Sequence, residues 1–226
     1  GNKVYIFNSV QSRRKKARGI AFTEKNVDGE WSKLKKIELK GLEIGEGYYS
    51  FFINPTENIL LISMPPNPST LDEDLFVSLK QADGTWGEVI NLGTTINTSN
   101  YEISPYIAED GKTLFFSSNG HVGMGSADIF VAYRLDDSWT NWTKPENLGE
   151  PINSVGFDAY FIISNTNEVY FSSNRESTYG DLYSTKIIKP LQFIDDTVKE
   201  LAKEPVLKKI TGQFYRGKCK QGASIG

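Results

Sequence analysis

The sequence contains a single cysteine and a single histidine among its 226 residues. Because Cys219 has no second thiol to pair with, an intramolecular disulfide is excluded, and the fold must be stabilised by burial and hydrogen bonding. His121 alone excludes a metal site built from several histidines and leaves at most one imidazole as a general base. We therefore predict no cofactor, no metal site and no catalytic set.

Long apolar runs and an excess of basic residues are also missing. No stretch approaches the roughly 18 apolar residues of a membrane helix, and no signal segment opens the chain. The net charge of −3 creates no basic field for nucleic acid. The one basic run, Arg13 to Arg18, is either an anion-binding loop or, as we favour, a solvated connection between strands. We expect neither nucleic-acid binding nor a membrane span in these residues.

Aromatic residues, in contrast, make up 12% of the chain, which favours strands because such side chains fit a pleated, half-buried surface. Several short phrases recur at spacings of 53 to 56 residues. They are the tryptophans Trp31, Trp86 and Trp139, the triplets that begin at Asp74, Asp128 and Asp181, the Asn-Leu-Gly phrases at Asn91 and Asn147, the Ile-Asn phrases at Ile96 and Ile152, and Ser-Ser-Asn at 117–119 and 172–174. A shared period of this length is typical of propeller blades, each built from several short strands.

The period divides residues 1–189 into four repeat units, and Glu102 to Asn153 carries the clearest copy. We place the units at about residues 4–41, 47–93, 102–149 and 157–187. The first unit lacks the strand that should precede Val4 to Asn8. The fourth lacks an Asp-Gly-x-Trp hairpin, so its outer strand is absent or comes from elsewhere. The predicted fold class is all-β, a propeller with about four recognisable four-stranded blades.

The remaining residues, 190–226, differ in character. We predict a linker with a short helix at Asp195 to Lys203, where alternating charges have helical spacing, followed by a strand at Val206 to Tyr215. This segment is either the entry to another domain or a tail that lies on the propeller. Because the chain also opens directly on a strand-like stretch, we expect it to be a fragment of a longer protein.

Three phrases carry a resemblance to a known family: SPYIAEDGKTLFFSSNGHVGMGSADIF, DDSWTNWTKPENLGEPINS and VYFSSNRESTYGDLY. They resemble the TolB-type, WD-repeat-like propeller repeats of Gram-negative cell-envelope proteins, over about Val4 to Lys189. The closest similarity is to members that continue into a carboxypeptidase-regulatory-like β domain and an OmpA-like peptidoglycan-binding domain. ITGQFYRGKCKQGASIG resembles the first strand of that regulatory-like domain. The second unit departs from the pattern, with Thr56-Glu57 and a proline cluster in place of Asp-Gly and the glycine-rich loop.

The resemblance implies a fragment of a roughly six-bladed propeller, located in the periplasm and associated with the outer membrane. It also implies a non-enzymatic scaffold or binding module whose partners are envelope proteins or peptidoglycan-linked components. The alternative is a glycan-processing enzyme, because the Asp-Gly-x-Trp phrases faintly resemble the Asp-boxes of sialidases. That interpretation needs an arginine cluster and a Tyr-Glu nucleophile pair, and only Arg134 and Arg175 lie in the better-defined units.

Blade topology predicts where a partner would bind. In a four-stranded blade, the loop that enters the first strand and the loop between the second and third strands open on the same face. Glu102 and Asp158 are 56 residues apart, so their carboxylates should line one mouth, near His121 and Arg175. The alternative is that these groups cap strand ends and tie neighbouring blades together. The candidate binding residues are Glu102, Asn119, His121, Asp158, Asn174 and Arg175.

Overall fold

The computed structural model describes residues 2–12, 15–42, 48–67, 69–186 and 215–217. Within these residues the secondary structure consists of fifteen β-strands and no helix. The strands form four antiparallel sheets, and each sheet takes its strands in sequence order. No helix long and apolar enough to cross a membrane occurs in this part of the chain. The predicted all-β class is therefore confirmed.

The first sheet has three strands and each of the others has four. The first sheet contains β1 (Lys3–Ser12), β2 (Lys15–Glu24) and β3 (Lys35–Lys36). The second contains β4 (Ser50–Ile53), β5 (Ile59–Met64), β6 (Asp74–Leu79) and β7 (Ile90–Asn91). The third contains β8 (Glu102–Ile107), β9 (Thr113–Ser118), β10 (Asp128–Tyr133) and β11 (Glu146–Asn147). The fourth contains β12 (Asp158–Ile163), β13 (Glu168–Ser173), β14 (Asp181–Lys186) and β15 (Tyr215–Gly217).

The two incomplete units differ in how their sheets are built. No strand precedes β1 in the first sheet within the described residues. The outer strand of the fourth sheet is β15, which pairs with β14 and comes from farther along the chain. Of the predicted strand Val206 to Tyr215, only Tyr215 belongs to the described residues, and it begins β15. The predicted helix at Asp195 to Lys203 lies outside the described residues.

One correction concerns the third tryptophan of the repeat. Trp31 forms an isolated bridge with the residue that follows β2, and Trp86 with the residue that follows β6, but in the third sheet Trp142 forms this bridge with Arg134. The turn before the bridge is two residues longer in this unit, which shifts the equivalent position. Trp139 lies inside that longer turn with a φ of 64°, and its carbonyl accepts a hydrogen bond from Trp142 Nε1 at 2.8 Å.

The sheets pack face to face in sequence order. Because successive side chains of a strand point to opposite faces, Phe115 and Phe116 of β9 enter two different hydrophobic clusters. Phe116 packs with Leu75 and Val77 of the second sheet, whereas Phe115 packs with side chains of the fourth sheet. Every residue of β5, β9 and β10 is buried for this reason. A third cluster joins the first sheet to the second.

The first strands of the second, third and fourth sheets lie beside one another. β8 contacts β4, and β12 contacts β8. The backbone amide of Glu102 donates to the carbonyl of Glu73 at 2.7 Å, and the amide of Asp158 donates to the carbonyl of Ala127 at 3.0 Å. Each of these bonds joins the first strand of one sheet to the start of the third strand in the preceding sheet. Backbone hydrogen bonds thus join β8 to the second sheet and β12 to the third.

The turn between the first and second strands requires a residue with positive φ. Gly111 (φ 65°), Asn167 (φ 57°) and Glu57 (φ 54°) occupy the equivalent position in three sheets. Glycine and asparagine adopt this conformation at low cost, whereas other residues pay about 1–2 kcal/mol. The Glu57 carboxylate also forms an ion pair with Lys3 of β1 at 2.7 Å. Glu57, which replaces the glycine of the Asp-Gly turn in the second unit, therefore links the first two sheets.

A repeated side-chain contact joins each loop between sheets to the sheet that it leaves. Asn153 Oδ1 accepts a hydrogen bond from the amide of Ile129, and Asn153 Nδ2 donates to the carbonyl of the same residue, both at 2.8 Å. Asn97 forms the same pair of bonds with Leu75, at 2.8 and 3.0 Å. We call these contacts the asparagine clamps. Both side chains are buried, so each clamp satisfies backbone groups that water does not reach.

We expect Asn153→Ala to lower the free energy of unfolding by roughly 2–4 kcal/mol, because it leaves the buried N–H of Ile129 without a partner and removes one of the two hydrogen bonds that the Ile129 C=O accepts. Urea denaturation followed by circular dichroism measures the change. Asn141→Ala is the matched control: Asn141 is exposed and its side chain bonds to Asp136, so the expected change is within about 0.5 kcal/mol. Equal effects of the two substitutions would contradict a stabilising role for the clamp.

Candidate binding cleft

An aromatic residue lies within two positions of the start of each first strand. Tyr48 precedes β4, Tyr101 precedes β8 and Phe157 precedes β12. The three residues recur at spacings of 53 and 56 residues. Because β4, β8 and β12 lie side by side, this recurrence brings the three rings to one region of the surface.

These rings line a cleft of about 500 Å³ at the ends of the three first strands. Eleven of the described residues form its wall, and they come from the second, third and fourth sheets. Five are aromatic: Tyr48, Tyr49, Tyr101, Phe157 and Tyr160. A connected aromatic surface of this kind, shaped as a concavity, is typical of a binding site.

Two of the rings are fixed by contacts with their own chain, and two are exposed. Tyr49 stacks on Phe7 with ring centroids 4.9 Å apart, and the Tyr101 hydroxyl donates to the carbonyl of Ser126 at 2.8 Å. Tyr48 is 84% exposed and Tyr160 is 58% exposed. Tyr160 has a φ of 60°, at the irregular point in the register of β12. The cleft therefore offers exposed rings beside rings that are already oriented.

The charged side chains of the cleft wall are both acidic. Asp72 is exposed, whereas Glu73 is only 6% exposed. Burial raises the pKa of Glu73, and the neighbouring charge of Asp72 raises it further, although a backbone hydrogen bond opposes the shift. The cleft thus combines aromatic faces with negative charge.

Glu102, the first of the predicted binding residues, lies directly beneath this surface and is fully buried. Its Oε2 accepts a hydrogen bond from the amide of Thr98 at 2.7 Å, while Oε1 accepts from the hydroxyls of Thr98 and Ser118 at 2.8 and 2.7 Å. Burial raises the pKa of Glu102 to about 7, even though these hydrogen bonds lower it. The carboxylate therefore closes the loop that leads into β8.

Asp158 occupies the equivalent position in the fourth sheet and is also fully buried. Its Oδ2 accepts hydrogen bonds from the amide and the hydroxyl of Ser154, at 2.6 and 2.9 Å. Its Oδ1 accepts from Arg175 Nη2 at 3.0 Å. Glu102 and Asp158 were expected to line an open mouth, but neither is exposed. The reason is that each satisfies the amide and hydroxyl of a residue four positions earlier.

The other predicted residues hold the same two loops. Asn119 Oδ1 accepts from the amide of Tyr101 at 3.2 Å, and Asn174 Oδ1 accepts from the amide of Phe157 at 2.7 Å. His121 Nε2 lies 2.8 Å from the carbonyl of Ile96, and because a carbonyl only accepts, Nε2 carries the hydrogen. Arg175 donates in the same way to the carbonyls of Pro151, at 2.7 Å, and Ile152.

The structure thus gathers all six predicted residues around the two entry loops, where their polar atoms bond to the protein itself. Their effect is to position Tyr101 and Phe157 in the cleft wall. Direct ligand contact by these six residues stays a prediction. Sequence reasoning missed the aromatic cleft, although the recurrence of Tyr48, Tyr101 and Phe157 was a usable signal. No sequence signal pointed to Asp72 and Glu73, because they lie in a connection whose sequence does not recur in the other units.

Comparison with known proteins returned no match: no protein-family model and no curated protein matches this sequence. The part of the chain that the structure describes also contains no group of three or more histidine, cysteine or acidic residues placed to hold a metal ion. The geometry of the cleft is therefore the basis for a functional assignment.

Glu102 gives a pH-dependent prediction. Its pKa in the folded state, about 7, lies above the ordinary value of 4.5, so the folded state binds more protons than the unfolded state between these values. Its contribution to stability is therefore lost as the pH rises through this window, with a slope of at most about 1.4 kcal/mol per pH unit. Glu102→Gln does not titrate, so we expect the variant to lose less stability than the wild type between about pH 5 and about pH 8.

Denaturant unfolding across that pH range measures the difference between the two proteins. Glu109→Gln, which changes an exposed glutamate in the turn after β8, serves as the control and should follow the wild-type curve. Parallel curves for the wild type and Glu102→Gln would contradict the raised pKa.

Proposed function

We propose that this chain is a non-enzymatic binding module of the propeller type, and that a partner binds in the aromatic cleft. The observation that carries this proposal is the meeting of exposed and fixed aromatic rings from three successive sheets in one concavity. Such rings supply large contact areas with few rotatable bonds, which favours recognition.

Several features support a propeller architecture. The sheets are antiparallel, follow one another in sequence order, pack face to face and place their first strands side by side. The 53–56-residue period agrees with one sheet per blade. Together with the resemblance to TolB-type, WD-repeat-like repeats, these features lead us to propose a fragment of a roughly six-bladed propeller.

The same resemblance guides the proposed location and partners. We place the protein in the periplasm, associated with the outer membrane, with envelope proteins or peptidoglycan-linked components as partners. A following regulatory-like domain and an OmpA-like domain belong to this proposal. In the described structure, Tyr215–Gly217 pairs with β14, so this part of the downstream segment also contributes to the repeat region.

One observation favours the alternative, a glycan-processing enzyme. A carboxyl group with a pKa of about 7, as at Glu102, has the value that a general acid needs near neutral pH. However, this carboxyl group is fully buried and accepts three hydrogen bonds from its own chain. A substrate would have to displace these bonds, so we favour the binding module.

The double variant Tyr48→Ala with Tyr160→Asn should weaken partner binding, because it removes the two exposed rings; asparagine tolerates the positive φ at position 160. The measurements are sedimentation with purified peptidoglycan and capture from envelope extract. Each captured protein is identified, purified and titrated against the wild type and the variant. We expect affinity to fall at least about tenfold, equivalent to about 1.4 kcal/mol.

Tyr179→Ala, which removes an exposed ring outside the described cleft wall, is the matched control and should bind like the wild type. Undiminished binding by the double variant would overturn the cleft as the binding site. A screen with fluorogenic glycosides tests the alternative: turnover by the wild type that is lost in Glu102→Gln would overturn the non-enzymatic assignment.

A further inference from the structure

We propose that the cleft receives a lysine or arginine side chain from a peptide segment of a protein partner. The cation would lie between the exposed tyrosine faces and the carboxylates of Asp72 and Glu73. This inference rests on the proposed function, since it names the chemistry of the partner that the cleft recognises.

Charge complementarity is the first argument. Among the eleven described residues of the cleft wall there are two carboxylates and no lysine, arginine or histidine. The negative charge of Asp72 and Glu73 is therefore not neutralised within the wall. A cationic side chain is the group that this environment favours most, because opposite charges attract more strongly in a partly desolvated cleft than in water.

Glu73 supplies the second, independent argument. It is 6% exposed, and within the described residues no other side chain donates a hydrogen bond to its carboxylate or forms an ion pair with it. The buried carboxylates of Glu102 and Asp158 differ, because both are saturated by their own loops. Apart from a backbone hydrogen bond, the Glu73 carboxylate has no partner among the described residues that offsets its burial, and an incoming cation would supply one.

The exposed rings supply a surface for the same group. Tyr48 and Tyr160 are 84% and 58% exposed, and a cation over a tyrosine face is attracted by the negative centre of the ring. The protein already uses this contact elsewhere: Lys25 lies 5.1 Å from the ring centroid of Trp31. A long side chain with a charged end also fits a cleft that combines apolar walls with acidic groups.

A sugar fits less well, because it is neutral and leaves the charges of Asp72 and Glu73 without a counter-charge. The two serines of the wall are already engaged: Ser63 donates to the carbonyl of Glu102 at 3.0 Å, and Ser50 accepts from the amide of Ser104 at 3.1 Å. The side chains left for a ligand are mainly carboxylates and ring faces. Carboxylates can accept hydrogen bonds from a polyol as well, but only a cation neutralises their charge.

Fluorescence anisotropy with three labelled peptides tests the inference. The peptides alternate glycine with lysine, glutamine or glutamate and are otherwise identical. We expect the lysine peptide to bind at least about tenfold more tightly than the glutamine peptide, with affinity that falls as salt is added, and the glutamate peptide not to bind. Equal binding of the lysine and glutamine peptides would overturn the inference.

Charge-removing variants locate the contact. Glu73→Gln should weaken lysine-peptide binding at least about tenfold, and Asp72→Asn at least about threefold, whereas Glu109→Gln should have no effect. Asp72 is exposed, so we expect Asp72→Asn to fold even if a substitution of the buried Glu73 prevents folding. Unchanged lysine-peptide binding in Asp72→Asn and in every Glu73 variant that folds would overturn the inference.

A chitotetraose titration separates this inference from the proposed function. Chitotetraose binding that is lost in Tyr48→Ala with Tyr160→Asn, but not in Asp72→Asn or Glu73→Gln, would make the cleft a glycan site. That result would overturn the cationic partner and leave the binding module intact. Absence of every cleft-dependent interaction, including those with envelope proteins and peptidoglycan, would overturn both.

Discussion

The asparagine clamp is the contact on which the repeat depends. A backbone N–H and C=O at the start of a third strand lie where water does not reach, and each needs a partner. Asn97 and Asn153 supply the partner of the N–H and a second donor for the C=O, which also accepts a backbone amide. The asparagine belongs to the loop that leaves the sheet. The clamp therefore fixes the point at which the chain leaves this sheet for the next sheet.

That fixed point determines where the aromatic residues of the cleft wall lie. Immediately after Asn153, the amide and hydroxyl of Ser154 bind the carboxylate of Asp158, so the loop closes over four residues. Asp158 turns inward, and Phe157, its neighbour, lies in the cleft wall. The loop after Asn97 repeats this arrangement and positions Tyr101. The polar residues that recur in the sequence therefore build the support, and the aromatic residues between them form the surface that a partner meets.

Structural features that recur along the chain were predicted from the sequence, and features that occur only once were missed. The all-β class was predicted, because aromatic residues and short turn phrases recur along the chain. The equivalence of Trp142 was missed because it depends on the length of one turn. The pairing of Tyr215–Gly217 with β14 joins segments far apart in the chain, and no local pattern encodes it. For Glu102 and Asp158 the sequence left two roles open, lining a mouth or capping strand ends, because spacing shows that two groups are equivalent but not which way they face.

Amide hydrogen exchange at single-residue resolution tests the central claim, that the clamp fixes the entry loop. In the wild type, the amides of Ile129 and Phe157 should both be protected, since they donate to Asn153 and Asn174. In Asn153→Ala we expect both to exchange at least about tenfold faster, while the amide of Leu75, held by Asn97, keeps its protection. Unchanged protection of Ile129 and Phe157 in the variant would contradict the account.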